Sequence, residues 1–254
     1  MLTSVIIPGC KDNPQQSGQK PDFNRPNIIF LLTDDQRWDA LGCAGNSIIQ
    51  TPNMDKLAEK GVRFENAFVT SPICAASRAS IFTGLYERTH KYTFTKPPIK
   101  QIFTDISYPV QLKRAGYRTG FIGKFGIKVE EGVIDSMFDR RKLTYFPYFK
   151  EIDGEERHLT EINGDHAIEF LCDCKPGQPF CLSLSFWAPH AEDDKKEQYF
   201  WPPACNTMYE NDKIPIPETA DPAFFETHPE FLKKSMNRIR WYWRYDTPKK
   251  YQKM

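Results

Sequence analysis

Cys74 stands in a run of small residues, Ser71-Pro72-Ile73-Cys74-Ala75-Ala76-Ser77-Arg78-Ala79-Ser80, that reads as a loop entering a helix. Free backbone N–H groups and the positive end of the helix dipole favour a nucleophile and an anionic transition state at such a place. Arg78 follows four residues later, so helical spacing turns it to the same side, where its planar fork suits a tetrahedral oxyanion. A buried structural cysteine at a helix start accounts for the same pattern. Asp34-Asp35 ends an apolar run. Adjacent carboxylates repel each other unless something positive sits between them, and a hard divalent cation is the usual answer; turns and caps also use Asp pairs. Lys124 closes the segment 117–124, and His190 follows Trp187-Ala188-Pro189. A lysine there neutralises an anionic substrate or ends a strand in solvent. A histidine there moves a proton near neutral pH or simply packs. Together these groups point to a metal-assisted site for an anion.

The elements that must position them are readable. Residues 27–33, after Pro26, form a continuous apolar run, expected as a strand buried on both faces. Thr51 as N-cap and Pro52 at the first helical position open a helix that carries Met54, Leu57 and Ala58 on one face and stops at Gly61. Residues 62–69 read as a short strand or extended segment. Helices are expected at 77–85 and 109–115, the latter closed by Gly116, and a strand at 117–124. Thr160 is expected to cap a helix carrying Ile162, Ala167, Ile168 and Leu171, and 181–187 reads as a second buried strand. The alternation predicts an α/β fold with a mostly parallel sheet sandwiched by helices. Ligands of such sheets bind beyond the carboxyl ends of the strands, where Asp34, Lys124 and His190 fall. From about 191 to 254 the pattern dissolves into prolines, charges and aromatics (Tyr199, Phe200, Trp201, Phe224, Phe225, Trp241, Tyr242, Trp243, Tyr245), an irregular excursion rather than a second core.

A length of 254 residues is ordinary for one α/β domain. Lys plus Arg number 34 and Asp plus Glu 33, a net charge of +1 that provides no field to recruit nucleic acid or an anionic membrane. No apolar run is long enough for a transmembrane span. Seven cysteines leave at least one unpaired or chemically special. Cys172 and Cys174 have no second ligand pair at zinc-finger spacing, which argues against structural zinc. Residues 1–24 begin with a short apolar run ending at Cys10, like the tail of a lipoprotein signal in which Cys10 carries the lipid; a frayed terminus accounts for them equally well.

Cys74-Ala75-Ala76-Ser77-Arg78 resembles the Cys-x-Pro/Ala-x-Arg signature of the type I sulfatases, in the alkaline-phosphatase-like superfamily, and Ala79-Ser80-Ile81-Phe82-Thr83-Gly84 is its usual continuation. Arg25-Pro26-Asn27 through Asp34-Asp35 is similar to the family's first strand and metal pair. Thr51-Pro52-Asn53-Met54-Asp55-Lys56-Leu57, Ala115-Gly116-Tyr117-Arg118-Thr119 to Gly123-Lys124, and Ala188-Pro189-His190 follow in family order. The resemblance implies an alkaline-phosphatase-like fold and a sulfatase that hydrolyses sulfate esters on sulfated glycans. It also implies that a formylglycine-generating or anaerobic sulfatase-maturating enzyme converts Cys74 to Cα-formylglycine. One hydroxyl of its hydrate would attack sulfur as the ester's alcohol leaves, and deprotonation of the other would then collapse the sulfated hemiacetal and expel sulfate. Asp34, Asp35 and the Cys74-derived residue would bind one calcium ion, Arg78 would orient the nucleophile, and Lys124 and His190 would contact the sulfate, with His190 a candidate proton donor. Localisation would be exported, periplasmic or at the cell surface, with Cys10 a lipid-anchor candidate.

There are departures from the family pattern. Ala76 stands where many members have proline. Gly123-Lys124-Phe125-Gly126 lacks a histidine common after the lysine. The family's second metal pair and later lysine are not found after His190, and Arg244-Tyr245-Asp246-Thr247-Pro248 resembles the segment that leads toward that pair. Residues 25–254 therefore read as the N-terminal part of a sulfatase catalytic domain. The alternatives are a truncated, inactive remnant, or a phosphate or phosphonate ester hydrolase of the same superfamily.

Overall fold

A computed structural model describes residues 25–94, 97–216 and 221–235. The leader 1–24 with Cys10, the aromatics at 241–245 and the 244–248 segment lie outside these residues. The chain divides into two compact units, one of residues 1–36 and 64–202, the other of residues 37–63 and 203–254.

The first unit holds a parallel sheet of β1 (Ile28–Leu32), β2 (Arg118–Gly123), β3 (Arg140–Leu143) and a later strand, in the order β1-β6-β2-β3. A separate antiparallel hairpin joins β4 (Phe149–Ile152) to β5 (Glu155–His158), and β6 is Phe180–Ser185. Register fixes what matters for chemistry: Leu32 and Gly123 both pair with Ser185, so β1, β6 and β2 end level. Whatever follows these three strands emerges on one rim.

In the first unit the helices are α2 (Cys74–Thr83), α3 (Glu87–His90), α4 (Gln101–Thr104), α5 (Tyr108–Arg114), α6 (Val133–Met137) and α7 (Leu159–Cys172), which accompany the sheet; the second unit holds α1 (Pro52–Lys60), α8 (Pro222–Glu226) and α9 (Glu230–Lys233). Alternation along β2 divides the core. Phe121 packs with Phe82 of α2, Val110 of α5, Met137 of α6, Phe125 and Phe138. On the other face Ile122 packs with Ala167 and Phe170 of α7 and with Leu182 and Leu184 of β6. Gly120 is required there, because a Cβ would come within 2.5 Å of the Phe170 ring.

Several expectations need correction. β1 is part-buried on one face and exposed on the other, with Ile29 and Leu31 half-exposed; it is an edge strand of the described sheet, whereas β6 in the middle is buried on both faces. α1 buries no residue, and Met54 and Leu57 of its apolar face are exposed. α1 belongs to the second unit and is held by polar contacts: Asp55 accepts from Cys43 N and from Thr51 Oγ1, and Thr51 Oγ1 accepts from Gly42 N. Thr51 thus spends its hydroxyl on a neighbouring turn and does not cap the helix. Residues 62–69 form no strand, and Phe64 and Phe68 are exposed. α2 begins at Cys74, three residues before its expected start.

α7 begins at Leu159 and is capped by His158, not Thr160. The His158 Nδ1 accepts from Thr160 N at 3.2 Å, and Glu161 Oε2 accepts from His158 N at 2.9 Å, a reciprocal capping box. Ile162 and Ala167 face the core as expected, whereas Ile168 is 46% exposed. The capping role needs a neutral imidazole, since a protonated ring has no acceptor. His90 is in the same position, with Nδ1 accepting from Tyr92 N. Burial holds both below the ordinary histidine value of 6.5. The unfolded chain therefore takes up protons first as pH falls through 6.5. The stabilising term is full above that value and is lost below it. We expect the melting temperature to fall between pH 7 and pH 5, and His158→Asn to flatten that slope; an unchanged slope in the variant would exclude the titration.

Candidate active site

Three strand exits and one helix start meet at the common rim. β1 runs into Asp34, β2 into Lys124, β6 into Phe186-Trp187-Ala188-Pro189-His190, and α2 starts beside them with Cys74. The β1 and β6 exits are tied together, with Phe186 N donating to Leu32 O and Asp34 N donating to Ala188 O.

Asp34, Arg78 and Lys124 form one buried charge cluster, each at most 6% exposed. The Asp34 Oδ2 pairs with Arg78 Nη2 at 3.3 Å and with Lys124 Nζ in closer contact. The Arg78 Nη1 also donates to Lys124 O at 2.6 Å and to Ser185 Oγ. One guanidinium therefore ties three strand ends together, which a lysine could not do. Burial pushes Arg78 down, and the charges of Asp34 and Cys74 push back, which puts Cys74 within electrostatic reach. Lys124 Nζ lies 4.2 Å from the Trp187 ring centroid, a cation–π contact that keeps the ammonium in place without adding an anion.

Two glycines make this approach possible. Gly123 has φ +99°, and a Cβ there would lie 1.9 Å from Ser185 O. Gly126 has φ +67°, and a Cβ would lie 2.7 Å from Arg78 Cδ. A side chain at 126, where many sulfatases carry histidine, would therefore displace Arg78 as it lies here. We expect Gly123→Ala to cost about 3 kcal/mol or more, from the strained φ and the clash together. Urea unfolding reads this; a midpoint within experimental scatter of wild type would refute the packing description.

His190 is half-buried. Its Nδ1 donates to Ala191 O at 2.6 Å, which leaves Nε2 as the nitrogen that can exchange a proton with a ligand. Its ring stands edge-on to Trp187 at 6.5 Å, so Lys124 and His190 both contact the same indole. Asp35 is exposed, with a left-handed φ of 64°. The structure thus gathers Asp34, Arg78 and Lys124 directly, brings Cys74 within electrostatic reach, and links His190 through Trp187, while Asp35 stands on the outer side.

Sequence reading missed the supports. Tyr148 is buried and donates its hydroxyl to His190 O at 2.6 Å, and its backbone N–H donates to Glu192 Oε2. Burial, then Asp34 and Glu192, raise its phenol, so it remains a donor. The His158 ring stacks on it at 4.9 Å. The available cue was the Asp153-Gly154 pair, a two-residue hairpin turn between β4 and β5 that delivers both rings. Phe200, one of the aromatics after residue 191, packs into this cluster.

Calcium takes six to eight oxygen ligands. Asp34 Oδ2 is buried and receives no well-directed hydrogen bond, although two cations touch it; with Asp35 next to it, this suits one edge of a calcium shell. Among the described residues no group of three carboxylate, histidine or cysteine side chains completes that shell. Nor is any described helix long and apolar enough to cross a membrane.

An N-acetylglucosamine-6-O-sulfatase of Bacteroides thetaiotaomicron is 36% identical over 198 residues, covering 74% of this chain and 34% of that protein. An arylsulfatase of Clostridium perfringens is 29% identical over 243 residues, covering 78% of this chain and 49% of that protein. The chain thus spans between a third and a half of the length of these curated relatives. A solved structure of a protein in complex with its substrate D-glucosamine-2-N,6-O-disulfate matches with a TM-score of 0.65 and 30% identity, over 77% of this chain and 40% of that one. The Sulfatase family model matches residues 26–238, most of the chain and all of the rim that holds Asp34, Cys74, Arg78, Lys124 and His190. A parallel sheet with this rim, matched over that length, places the chain in the sulfatase family with its alkaline-phosphatase-like α/β fold.

Proposed function

We propose that the protein acts in hydrolysis of sulfate esters on sulfated carbohydrates, with Cys74 as precursor of the nucleophile. The observation that carries this reading is the buried Asp34–Arg78–Lys124 cluster at the carboxyl end of the sheet, one helical turn from Cys74. Two cations share one carboxylate there, so the cluster retains a positive charge in a poorly solvated place, where it acts on an anion more strongly than in water. Arg78 and Lys124 would bind the sulfate oxygens and hold charge that develops on them. The Nε2 of His190, on a loop pinned by Tyr148, would move a proton to the leaving oxygen.

Cα-formylglycine made from Cys74 by a maturation enzyme would supply a hydrated aldehyde, with one hydroxyl to attack and a second to release the product. A calcium ion held by Asp34 and Asp35 would supply additional positive charge for the sulfate. Relatives named for sulfated sugars support a carbohydrate substrate. Export to the periplasm or cell surface, with lipid on Cys10, belongs to the same reading.

Comparing turnover of an aryl sulfate and the matching aryl phosphate, by protein made in a maturation-competent host, tests it. Preferential sulfate release is expected. Preferential phosphate release would replace the reading with a phosphate or phosphonate ester hydrolase, and turnover of neither would refute the activity.

A further inference from the structure

A second cluster of polar groups lies outside the cluster just described. A cleft of about 770 Å³ is lined by Thr70, Ser71, Tyr86, Glu87, Arg88 and Lys91. That volume is in the range of small-molecule sites. It is built from the approach to α2 and from α3, which is tied back to α2 by a 3.1 Å contact between the His90 ring and Ser80 Oγ. Thr70 and Ser71 stand three to four residues before Cys74. Thr70 and Ser71 lead directly into α2, so that wall of the cleft adjoins the Cys74 end of the helix.

The lining is chemically selective. Tyr86 exposes more than half its surface, and the Arg88 guanidinium lies 5.4 Å from its ring centroid, which fixes a flat aromatic face beside a cation. Neither Arg88 nor Lys91 has a carboxylate partner among the described residues. Glu87 and the hydroxyls of Thr70 and Ser71 add groups that bind sugar hydroxyls. An aromatic face, two unpaired cations and small hydroxyls together suit an anionic sugar ring better than a purely apolar ligand or a bare inorganic ion.

We propose that this cleft binds a neighbouring, negatively charged sugar of the carbohydrate substrate, with Tyr86 against the ring and Arg88 and Lys91 on its sulfate or carboxylate. The assignment rests on the reading of a sulfated carbohydrate substrate, and it extends that reading from the reacting ester to the adjoining residue of the glycan.

The test is titration calorimetry with a sulfated heparin-type tetrasaccharide and its desulfated counterpart. The chain is compared with Arg88→Gln/Lys91→Gln, with Tyr86→Ala, and with Lys56→Gln/Lys60→Gln on α1 as a charge-matched control. The cleft variants should weaken binding of the sulfated probe at least about tenfold, with melting temperatures unchanged, while the α1 control binds as wild type. Equal weakening by the control would identify unspecific polyelectrolyte binding and overturn the assignment, as would unchanged binding in the cleft variants. Binding through these residues by a chain that turns over no aryl sulfate would refute the activity and leave the cleft standing. Aryl sulfate turnover with unchanged tetrasaccharide binding in the cleft variants would do the reverse.

Discussion

Arg78→Ala lowers the stability of the folded chain by about 3 kcal/mol or more, because it breaks a buried ion pair from one side. The substitution leaves Asp34 in the core with Lys124 alone, and it strips Lys124 O and Ser185 Oγ of their donor. Desolvating those groups without a partner is the larger part of the cost. Arg78→Lys should recover only part of the loss, since an ammonium cannot reach the three strand ends that the guanidinium fork spans. Asp34→Asn combined with Arg78→Ala should cost less than the sum of the two single changes, with a coupling of about 1 to 3 kcal/mol. Urea unfolding of the wild type, the three single variants and the double variant measures all of this. A loss below about 0.5 kcal/mol for Arg78→Ala, the size typical of surface changes, would show that the cluster does not hold the rim together.

The second large effect is on chemistry. Cys74→Ala should reduce turnover of an aryl sulfate by on the order of 10⁶-fold, the scale seen when a covalent nucleophile is removed. Stability should change little, because the side chain is only partly buried and makes no described hydrogen bond. Cys74→Ser should not rescue turnover, since a simple alkoxide has no second hydroxyl through which to expel sulfate. The split between lost activity and retained stability separates Cys74 from Arg78, whose loss affects both. Activity within tenfold of wild type in Cys74→Ala would remove Cys74 from the mechanism.

The site was more legible than its surroundings, for physical reasons. Buried central strands leave continuous apolar runs, so β6 and the polar groups at the strand ends could be found from pattern alone. Cys74 and Arg78 sit at helical spacing near a run of small residues, and that local geometry does not depend on distant parts of the chain. Edge position is different: the run at 27–33 looks central, yet β1 has a neighbour on one side only among the described strands. Helix faces failed where polar contacts replaced apolar packing, as in α1, whose position is set by Asp55 and Thr51. His158 was passed over as a cap because histidine is not among the preferred capping residues; its Nδ1 does the task of a serine oxygen. Tyr148 and Trp187 support the loops of Lys124 and His190 through contacts between residues 42 and 63 positions apart in sequence, which no local pattern encodes. The glycine at 126 was visible as a missing histidine, but its reason, the close passage of Arg78, appears only in three dimensions.

The central claim is that Cys74 serves as a converted nucleophile at an anion-binding rim. Mass spectrometry of the peptide containing Cys74, from protein made in a maturation-competent host, tests it most directly. The account predicts a peptide lighter than the cysteine form by about 18 Da, reactive toward aldehyde reagents, with sulfate release rising in proportion to the converted fraction. An unmodified thiol in protein that nonetheless hydrolyses aryl sulfate would contradict it.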